Sequence, residues 1–137
     1  MDFDHRRVAL IIARGRAVNG LVMLAVPGVV GWLLFGSDGR KPATRALLRL
    51  VGVRDLVLGV GAITTLKEQT MDAEWVGMGA VADAVDGLVS LATPGLARRS
   101  RLVSLVGGGA AGAGLLASRK LADERARTAA ASEVDSR

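Results

Sequence analysis

Arg16-Ala-Val-Asn-Gly-Leu-Val-Met-Leu-Ala-Val-Pro-Gly28 returns later in the chain as Asp83-Ala-Val-Asp-Gly-Leu-Val-Ser-Leu-Ala-Thr-Pro-Gly95, with nine of thirteen residues identical. A chain that carries the same apolar segment twice is expected to be a duplicated unit. The two copies differ at their first residue, which is an arginine in one and an aspartate in the other. Opposite charges at equivalent positions of apolar segments predict a salt bridge between the copies.

The composition favours a membrane protein. Half of the 137 residues are apolar, 18 are glycine and the mean hydropathy is +0.38, which lies outside the usual range of a soluble domain of this size. The chain has no tyrosine, two phenylalanines and two tryptophans, so a soluble core would lack large side chains. It has no cysteine, which excludes disulfides, thiolate nucleophiles and cysteine-based metal sites.

The net charge of +5 comes from 18 basic and 13 acidic residues, and most basic residues lie between apolar runs or in the C-terminal tail. This distribution predicts contact with anionic lipid headgroups and control of membrane topology. We expect no nucleic-acid partner, because stacking aromatic residues are not interleaved with the basic ones. No cleavable signal peptide is expected, since Asp2 and Asp4 interrupt the region that should be positively charged.

Four apolar segments are long enough, or nearly so, to cross a hydrocarbon layer about 30 Å thick. We therefore predict an all-α fold, a four-helix transmembrane bundle built from two repeated helical hairpins and formed by residues 1–118. A polar tail, 119–137, is expected to continue the last helix into water and then become disordered. The predicted helices are 8–27, 47–66, 74–93 and 102–118.

Pro27 leaves the end of the first helix open to two interpretations. Apolar sequence continues beyond it, so a helix over 17–36 with a kink at Pro27 is one alternative. In the second copy Pro94-Gly95 is soon followed by Arg98, which indicates that the proline ends a helix there and in the first copy as well. Residues 29–36 then become a short interfacial segment, followed by a loop over 37–42.

The repeat extends weakly beyond the first helix of each copy. Leu50-Val51-Gly52 and Gly59 have counterparts in Leu105-Val106-Gly107 and Gly114 at the same spacing. Each copy is therefore expected to be a helical hairpin. Two hairpins inserted in the same direction should be related by a pseudo-twofold axis along the membrane normal.

Four crossings place both termini on one side of the membrane, with Phe3 and Trp75 near that surface and Trp32 and Phe35 near the other. The terminal side has the slight excess of basic residues, which predicts cytoplasmic termini and a location in the cytoplasmic membrane. The terminal side carries Arg6, Arg7, Lys67, Arg119, Lys120, Arg125, Arg127 and Arg137, and the other side carries Arg40, Lys41, Arg45, Arg98, Arg99 and Arg101.

Six ionisable residues fall inside the predicted helices, where each costs roughly 2.5 to 3.5 kcal/mol at the helix centre unless it has a partner. Their charges sum to zero. A rise of about 1.5 Å per residue from helix centres near 17, 57 and 83 places Arg16 level with Asp83 and Arg54 level with Asp86, which predicts these two pairs. The six residues are Arg14, Arg16, Arg54, Asp55, Asp83 and Asp86.

Asn19 lies three residues after Arg16, so the first and third helices are expected to face each other with polar stripes. Gly20 and Gly87, one residue further along, should let those two helices approach closely. Asp55 is expected to point about 100° away from Arg54 and to reach either Arg14 or a backbone amide. The alternative for Arg14 is to extend its guanidinium to the nearer membrane surface.

The glycine-rich run 107–112 and the single histidine resemble parts of binding sites, but neither is interpreted as one. Gly107-Gly-Gly109-Ala-Ala-Gly112 fits a dinucleotide-binding pattern, but no strand precedes it and no acidic ribose partner follows, so helix packing is expected. Gly108 with Gly112, and Ala110 with Gly114, would form small-residue faces along which the fourth helix packs, inside one subunit or between two. In the second predicted helix, the same role is expected for Gly52, Gly59 and Gly61. His5 lacks companion ligands and is interpreted as a solvated residue, so no metal or cofactor is predicted.

Gly52-Val-Arg54-Asp55-Leu-Val-Leu-Gly59 followed by Ala82-Asp83-Ala-Val-Asp86 resembles the Gly-x-Arg-Asp and Ala-Asp-x-x-Asp pattern of uncharacterised bacterial four-helix membrane proteins similar to the DoxX-like group. The resemblance covers about residues 10–118. It implies a four-helix bundle in the cytoplasmic membrane without a settled activity. It brings no quinone or thiosulfate site that matches residues of this chain.

Three functions are compatible with the sequence. The leading hypothesis is a non-enzymatic accessory or scaffold subunit whose intramembrane Arg/Asp pairs fix helix register, with the lipid bilayer, a second copy or another membrane subunit as partner. The alternative is a small proton-coupled transporter or channel that uses the same charges. A third is an enzyme with Asp83 or Asp86 as acid catalyst on a lipophilic substrate, although no nucleophile or cofactor signature accompanies these residues.

Overall fold

The computed structural model describes residues 5–68, 72–95 and 98–135, and these residues form helices joined by short connections, without a strand. The predicted all-α class is therefore confirmed for this part of the chain. The elements are α1 (His5–Ala25), α2 (Pro27–Phe35), a 3-10 helix (Gly36–Arg40), α3 (Pro42–Glu68), α4 (Asp72–Ala92) and α5 (Arg98–Asp135). Phe3 and Arg137, to which the sequence assigned places near the membrane surface, lie outside the described residues.

Pro27 ends one helix and begins another. Helix α1 stops at Ala25, and Val26 leaves helical geometry with a ψ of 51°. Proline has no N–H to donate and its φ suits the first turn, so Pro27 starts α2. The alternative prediction of one kinked helix over 17–36 is therefore wrong. The segment predicted to be interfacial, 29–36, is mostly helical. A 3-10 helix follows it and covers most of the expected loop.

The second copy ends differently. Helix α4 stops at Ala92, the residue equivalent to Ala25 in the repeat, and Pro94-Gly95 forms a turn. Gly95 has a φ of 75°, a left-handed conformation that side chains with a Cβ adopt at a cost. Both copies therefore stop their first helix at the same position, and only the first copy continues into a second short helix.

The four long helices are antiparallel to their neighbours and surround a common centre. Helix α1 lies along α3, and α4 lies along α5, in the two most extensive contacts. Smaller contacts join α1 to α5 and α3 to α4. Helices α1 and α4 therefore occupy one diagonal of the arrangement, and α3 and α5 occupy the other.

Small residues allow α1 and α3 to touch at their backbones. A Cβ on Gly20 would lie 2.6 Å from the carbonyl oxygen of Gly52, and one on Gly59 would lie 2.8 Å from that of Ala13. The sequence had assigned Gly20 to a contact with the third helix, α4, and this assignment is wrong. Because α4 lies across the diagonal, the close approach is made with the neighbouring helix α3.

The buried apolar residues come in matched pairs from the two halves of the chain. Ala9 and Val76 are separated by the same 67 residues as Arg16 and Asp83. The buried residues of α3 and α5 are separated by the same 55 residues as Gly59 and Gly114. These matched residues are Ala62 with Ala117 and Leu66 with Leu121.

Helix α5 continues far beyond the predicted boundary at residue 118. Leu121 is 1 % exposed, and α5 remains helical to Asp135, so the last helix continues past residue 118 and stays packed at least as far as Leu121. The buried face recurs every three or four residues, as the side of a packed helix does. It comprises Ala111, Gly114, Ala117, Ser118 and Leu121.

The glycine-rich run lies inside continuous α5, in keeping with the expected helix packing rather than a nucleotide-binding turn. A Cβ on Gly114 would lie 3.3 Å from the Cβ of Ala80 in α4. Gly112 is exposed, and a Cβ placed there would meet no heavy atom within 4 Å. In α3, which contains the second of the four predicted helices, Gly61 makes room for the ring of Trp75.

Two helical stretches are long and apolar enough to cross a membrane, Arg6–Ala25 in α1 and Asp72–Ala92 in α4. This property alone is weak support for a membrane span, because a core helix of a soluble protein or a signal sequence shares it. Only 17 % of each stretch is buried inside the structure. Large apolar side chains on their outer faces are correspondingly exposed, including Leu21 at 57 % and Leu88 at 67 %.

The α1–α3 contact gives a test with a matched control. Gly59→Ala should destabilise the protein by about 1 to 3 kcal/mol, because the added methyl group forces the two backbones apart. Gly15→Ala should stabilise it by up to about 1 kcal/mol through helix propensity alone, since its Cβ would meet nothing within 4 Å. Thermal unfolding of both variants in detergent measures the difference, and equal melting temperatures would contradict the contact.

Candidate functional site

Arg16 lies at the centre of the structure, with a side chain that is only 7 % exposed. Its Nη1 donates to Oδ1 of Asp55 on α3 at 3.2 Å. Its Nη2 donates to the carbonyl oxygen of Gly79 on α4 at 2.9 Å and to Oδ2 of Asp83 on the same helix. Arg16 therefore spans the diagonal from α1 to α4 and also holds α3, which a short side chain could not do.

Asp55 is the shared acceptor of the cluster and is 8 % exposed. Its Oδ1 accepts hydrogen bonds from Arg16 and, at 3.0 Å, from Nη2 of Arg54, while its Oδ2 accepts one from Nδ2 of Asn19 at 3.0 Å. The expectation that Asp55 points away from Arg54 is wrong. Adjacent helical residues do diverge, but the long arginine side chain curls back to reach the carboxylate of its neighbour.

Arg54 and Asp86 form the outer part of the cluster. Nη1 of Arg54 donates to Oδ1 of Asp86 at 2.9 Å, and Nη2 donates to Oδ2 at 2.5 Å, the parallel geometry that guanidinium and carboxylate favour. Arg54 is 35 % exposed and Asp86 is 47 % exposed. The two pairs expected from helix heights, Arg16 with Asp83 and Arg54 with Asp86, are thus brought together.

Arg14 does not join the others. Its side chain is exposed, and within residues 5–68, 72–95 and 98–135 it makes no ion pair, so Asp55 does not reach it as one expectation had it. We use "charge cluster" for the residues that the structure does connect. They are Arg16, Asn19, Arg54, Asp55, Asp83 and Asp86.

Without Arg14 the charge cluster has two arginines and three aspartates, a formal charge of −1 when all are ionised. The sum of zero expected from the sequence included the charge of Arg14. A buried excess charge is unfavourable in a medium of low dielectric constant unless a further cation or a proton neutralises it. The excess negative charge of the cluster arises because Arg14 lies on the exposed side of α1, away from the other charged residues.

A small cavity adjoins the pair of Arg16 and Asp83 between the four long helices. The space open to the centre of a water-sized sphere is about 20 Å³, which is room for one water molecule. Its other walls are small apolar residues such as Ala9, Ala13 and Ala80. Asp55 is not among the residues that line this cavity.

A second set of charges, which the sequence analysis missed, closes one end of the structure. Asp72 at the start of α4 is 1 % exposed, and its Oδ2 lies 2.9 Å from Nη2 of Arg6 while its Oδ1 lies 2.7 Å from Nη2 of Arg125. Arg6 also donates to the carbonyl oxygen of Leu66. We call Arg6, Asp72 and Arg125 the terminal lock. The spacing of four residues between Ala117, Leu121 and Arg125 is the signal that could have found it.

Protein-family models, curated proteins and solved structures were compared with the chain, and none of them matches.

The charge cluster predicts a ranking among three aspartate-to-asparagine variants. Asp55→Asn should cost about 3 to 5 kcal/mol, because it leaves the buried guanidinium group of Arg16, and the partly exposed one of Arg54, with less compensation. Asp86→Asn should cost under about 1 kcal/mol, because Asp86 is half-exposed. Asp83→Asn should lie between them. Thermal unfolding in detergent measures the order, and a larger effect for Asp86→Asn than for Asp55→Asn would contradict the assigned roles.

The terminal lock predicts where the chain can be shortened. A chain ending at Ser118 should lose about 2 kcal/mol or more, because it lacks the buried side chain of Leu121 and the ion pair of Arg125. A chain ending at Arg127 keeps both and should unfold at nearly the temperature of the full chain. Equal stability of the two truncated chains would contradict this prediction, because it would mean that the packed region ends at residue 118.

Proposed function

We propose that the protein is a multi-pass integral protein of the cytoplasmic membrane and a non-enzymatic accessory or scaffold subunit. Helices α1, α3, α4 and α5 would form a four-helix transmembrane bundle of two hairpins. The observation that supports this proposal is the inner part of the charge cluster, Arg16 and Asp55, which is buried at mid-height between helices whose outer faces are apolar. Cytoplasmic termini and the DoxX-like resemblance belong to the same proposal.

The distribution of side chains supports a lipid environment. Water-soluble proteins bury large apolar residues and expose charges, whereas this chain buries Arg16 and Asp55 and exposes much of its valine and leucine. Lipid offers no hydrophobic drive for helix association, so small residues and polar contacts join membrane helices. The backbone contact at Gly20 and Gly52 and the bonds of Arg16 are interactions of this kind.

The internal matching supports two hairpins. Gly59 of α3 fits against Ala13 of α1, and Gly114 of α5 fits against Ala80 of α4, at the equivalent positions of the two copies. A twofold axis between the halves would exchange α1 with α4 and α3 with α5. The diagonal placement of α1 and α4 is what such an axis requires.

The geometry of the charges supports a structural role. Each aspartate of the cluster already accepts a hydrogen bond from a guanidinium group. The adjoining cavity has room for one water molecule, and most of its wall is apolar. The bonds of Arg16 link three helices, so they would fix helix register and neighbour order within one subunit.

A proton-coupled transporter or channel is the second candidate, favoured by one observation. The cluster holds three carboxylates against two guanidinium groups, so one proton would make it electrically neutral. Asp86, the most exposed of the three aspartates, would be the group through which that proton enters.

The deciding experiment compares Asp83→Asn with Asp123→Asn, an exposed residue of α5, in the full chain. The scaffold proposal predicts that the chain resists extraction by alkaline carbonate, that Asp83→Asn reduces its amount in the membrane several-fold, and that the control does not. Purified protein in liposomes should show no proton flux.

Two results would overturn the proposal in different ways. Release of the chain by carbonate would overturn the membrane location. Normal abundance of Asp83→Asn, together with proton flux that this variant abolishes, would replace the scaffold by the transporter. Cross-linking in intact membranes then identifies the partner, a second copy or another subunit.

A further inference from the structure

An open groove lies at the end of the structure opposite the terminal lock. It measures about 560 Å³ and is formed where α1 passes into α2 and where α3 begins. One wall is apolar, with Val26 and Val29 about half-exposed. The other wall carries three arginines. The lining residues used below are Trp32, Arg40, Arg45 and Arg49.

Among the residues that the structure describes, no acid forms an ion pair with the arginines of the groove. Residues 25–49 contain a single acid, Asp38, and it is paired with Lys41 at 2.7 Å. The hydrogen bond to Asp38 raises the pKa of Lys41. The guanidinium groups of Arg45 and Arg49 therefore give the groove a local positive charge.

Two side chains set the shape of the groove. The guanidinium of Arg40 lies 5.7 Å from the centre of the Trp32 ring, a cation–π contact that holds the ring at the rim. The side chain of Arg45 packs against Gly28, where a Cβ would lie 3.4 Å from Nε of Arg45. The basic wall is thereby brought against the first turn of α2, beside the apolar wall.

We propose that this groove binds the headgroup of an anionic phospholipid, an inference that rests on the membrane location proposed above. The phosphate would lie between Arg45 and Arg49, whose planar guanidinium groups suit phosphate oxygens. The acyl chains would follow the exposed side chains of Val22, Val29 and Leu33. A free phosphate would use the arginines and leave the apolar wall in contact with water.

The level of the groove agrees with this occupant. Helix α1 ends at Ala25, about 14 Å beyond Arg16 at 1.5 Å per residue, which is near the edge of a hydrocarbon layer centred on the charge cluster. Headgroup phosphates lie just outside that edge. Tryptophan prefers the same level, and Trp32 is 48 % exposed there.

Trp32 itself reports the binding. In a Trp75→Phe chain it is the sole tryptophan, and bromine atoms on lipid tails quench tryptophan fluorescence on contact. We would titrate the detergent-solubilised full chain with brominated phosphatidylglycerol and, separately, with brominated phosphatidylcholine. We expect half-quenching at an about thirtyfold lower mole fraction of phosphatidylglycerol, since Arg45 and Arg49 each contribute about 1 kcal/mol near an anionic headgroup.

Two double variants make matched controls. Arg45→Gln with Arg49→Gln should abolish the preference for phosphatidylglycerol. Arg98→Gln with Arg101→Gln removes the same charge at the same end, from exposed residues outside the groove, and should leave most of the preference. Retention of phosphatidylglycerol by the unmodified chain in native mass spectrometry repeats the comparison without the Trp75→Phe change.

The possible results separate this inference from the membrane proposal. Equal quenching by both lipids, or equal losses in the two double variants, would overturn the site while leaving the membrane location intact. Displacement of phosphatidylglycerol by millimolar inorganic phosphate would overturn the lipid in favour of a free anion. Quenching by neither lipid would overturn the site, and carbonate extraction then decides the membrane location independently.

Discussion

The structure depends on the need of one buried guanidinium group for partners on all sides. Arg16 is almost entirely enclosed, and a charge removed from solvent is tolerated only when protein groups replace its hydration. Two carboxylates and the Gly79 carbonyl supply that replacement from α3 and α4. These bonds set the relative positions of three helices at their mid-height. Elsewhere the helices are in contact through small residues such as glycine and alanine.

The same constraint explains why the two halves match in their backbone contacts and differ in their charges. Ala13 with Gly59 and Ala80 with Gly114 form equivalent contacts in the two copies. Equal charges at the head of both copies would repel each other across the diagonal, whereas Arg16 and Asp83 attract. The two halves can share their packing residues, but their central charges have to be unlike for Arg16 and Asp83 to pair.

The two ends of the structure use charge in opposite ways. At one end the terminal lock of Arg6, Asp72 and Arg125 neutralises an enclosed carboxylate and joins the long α5 to the start of α4. At the other end, Arg45 and Arg49 line an open groove beside apolar side chains. Enclosed charges hold helices together, and open ones are available to a ligand of opposite charge.

Sequence alone was enough to predict the helical class, a helix end near Pro27 and the pairs of Arg16 with Asp83 and Arg54 with Asp86, because residue spacing and a fixed rise per residue determine height along a helix. Height does not determine which helices are neighbours or which way a long side chain turns. Only the tertiary structure therefore decided that Gly20 meets α3, that Asp55 joins Arg54, and that Arg14 faces outward. The terminal lock also needed the tertiary structure, since its members come from three distant segments that only packing brings together.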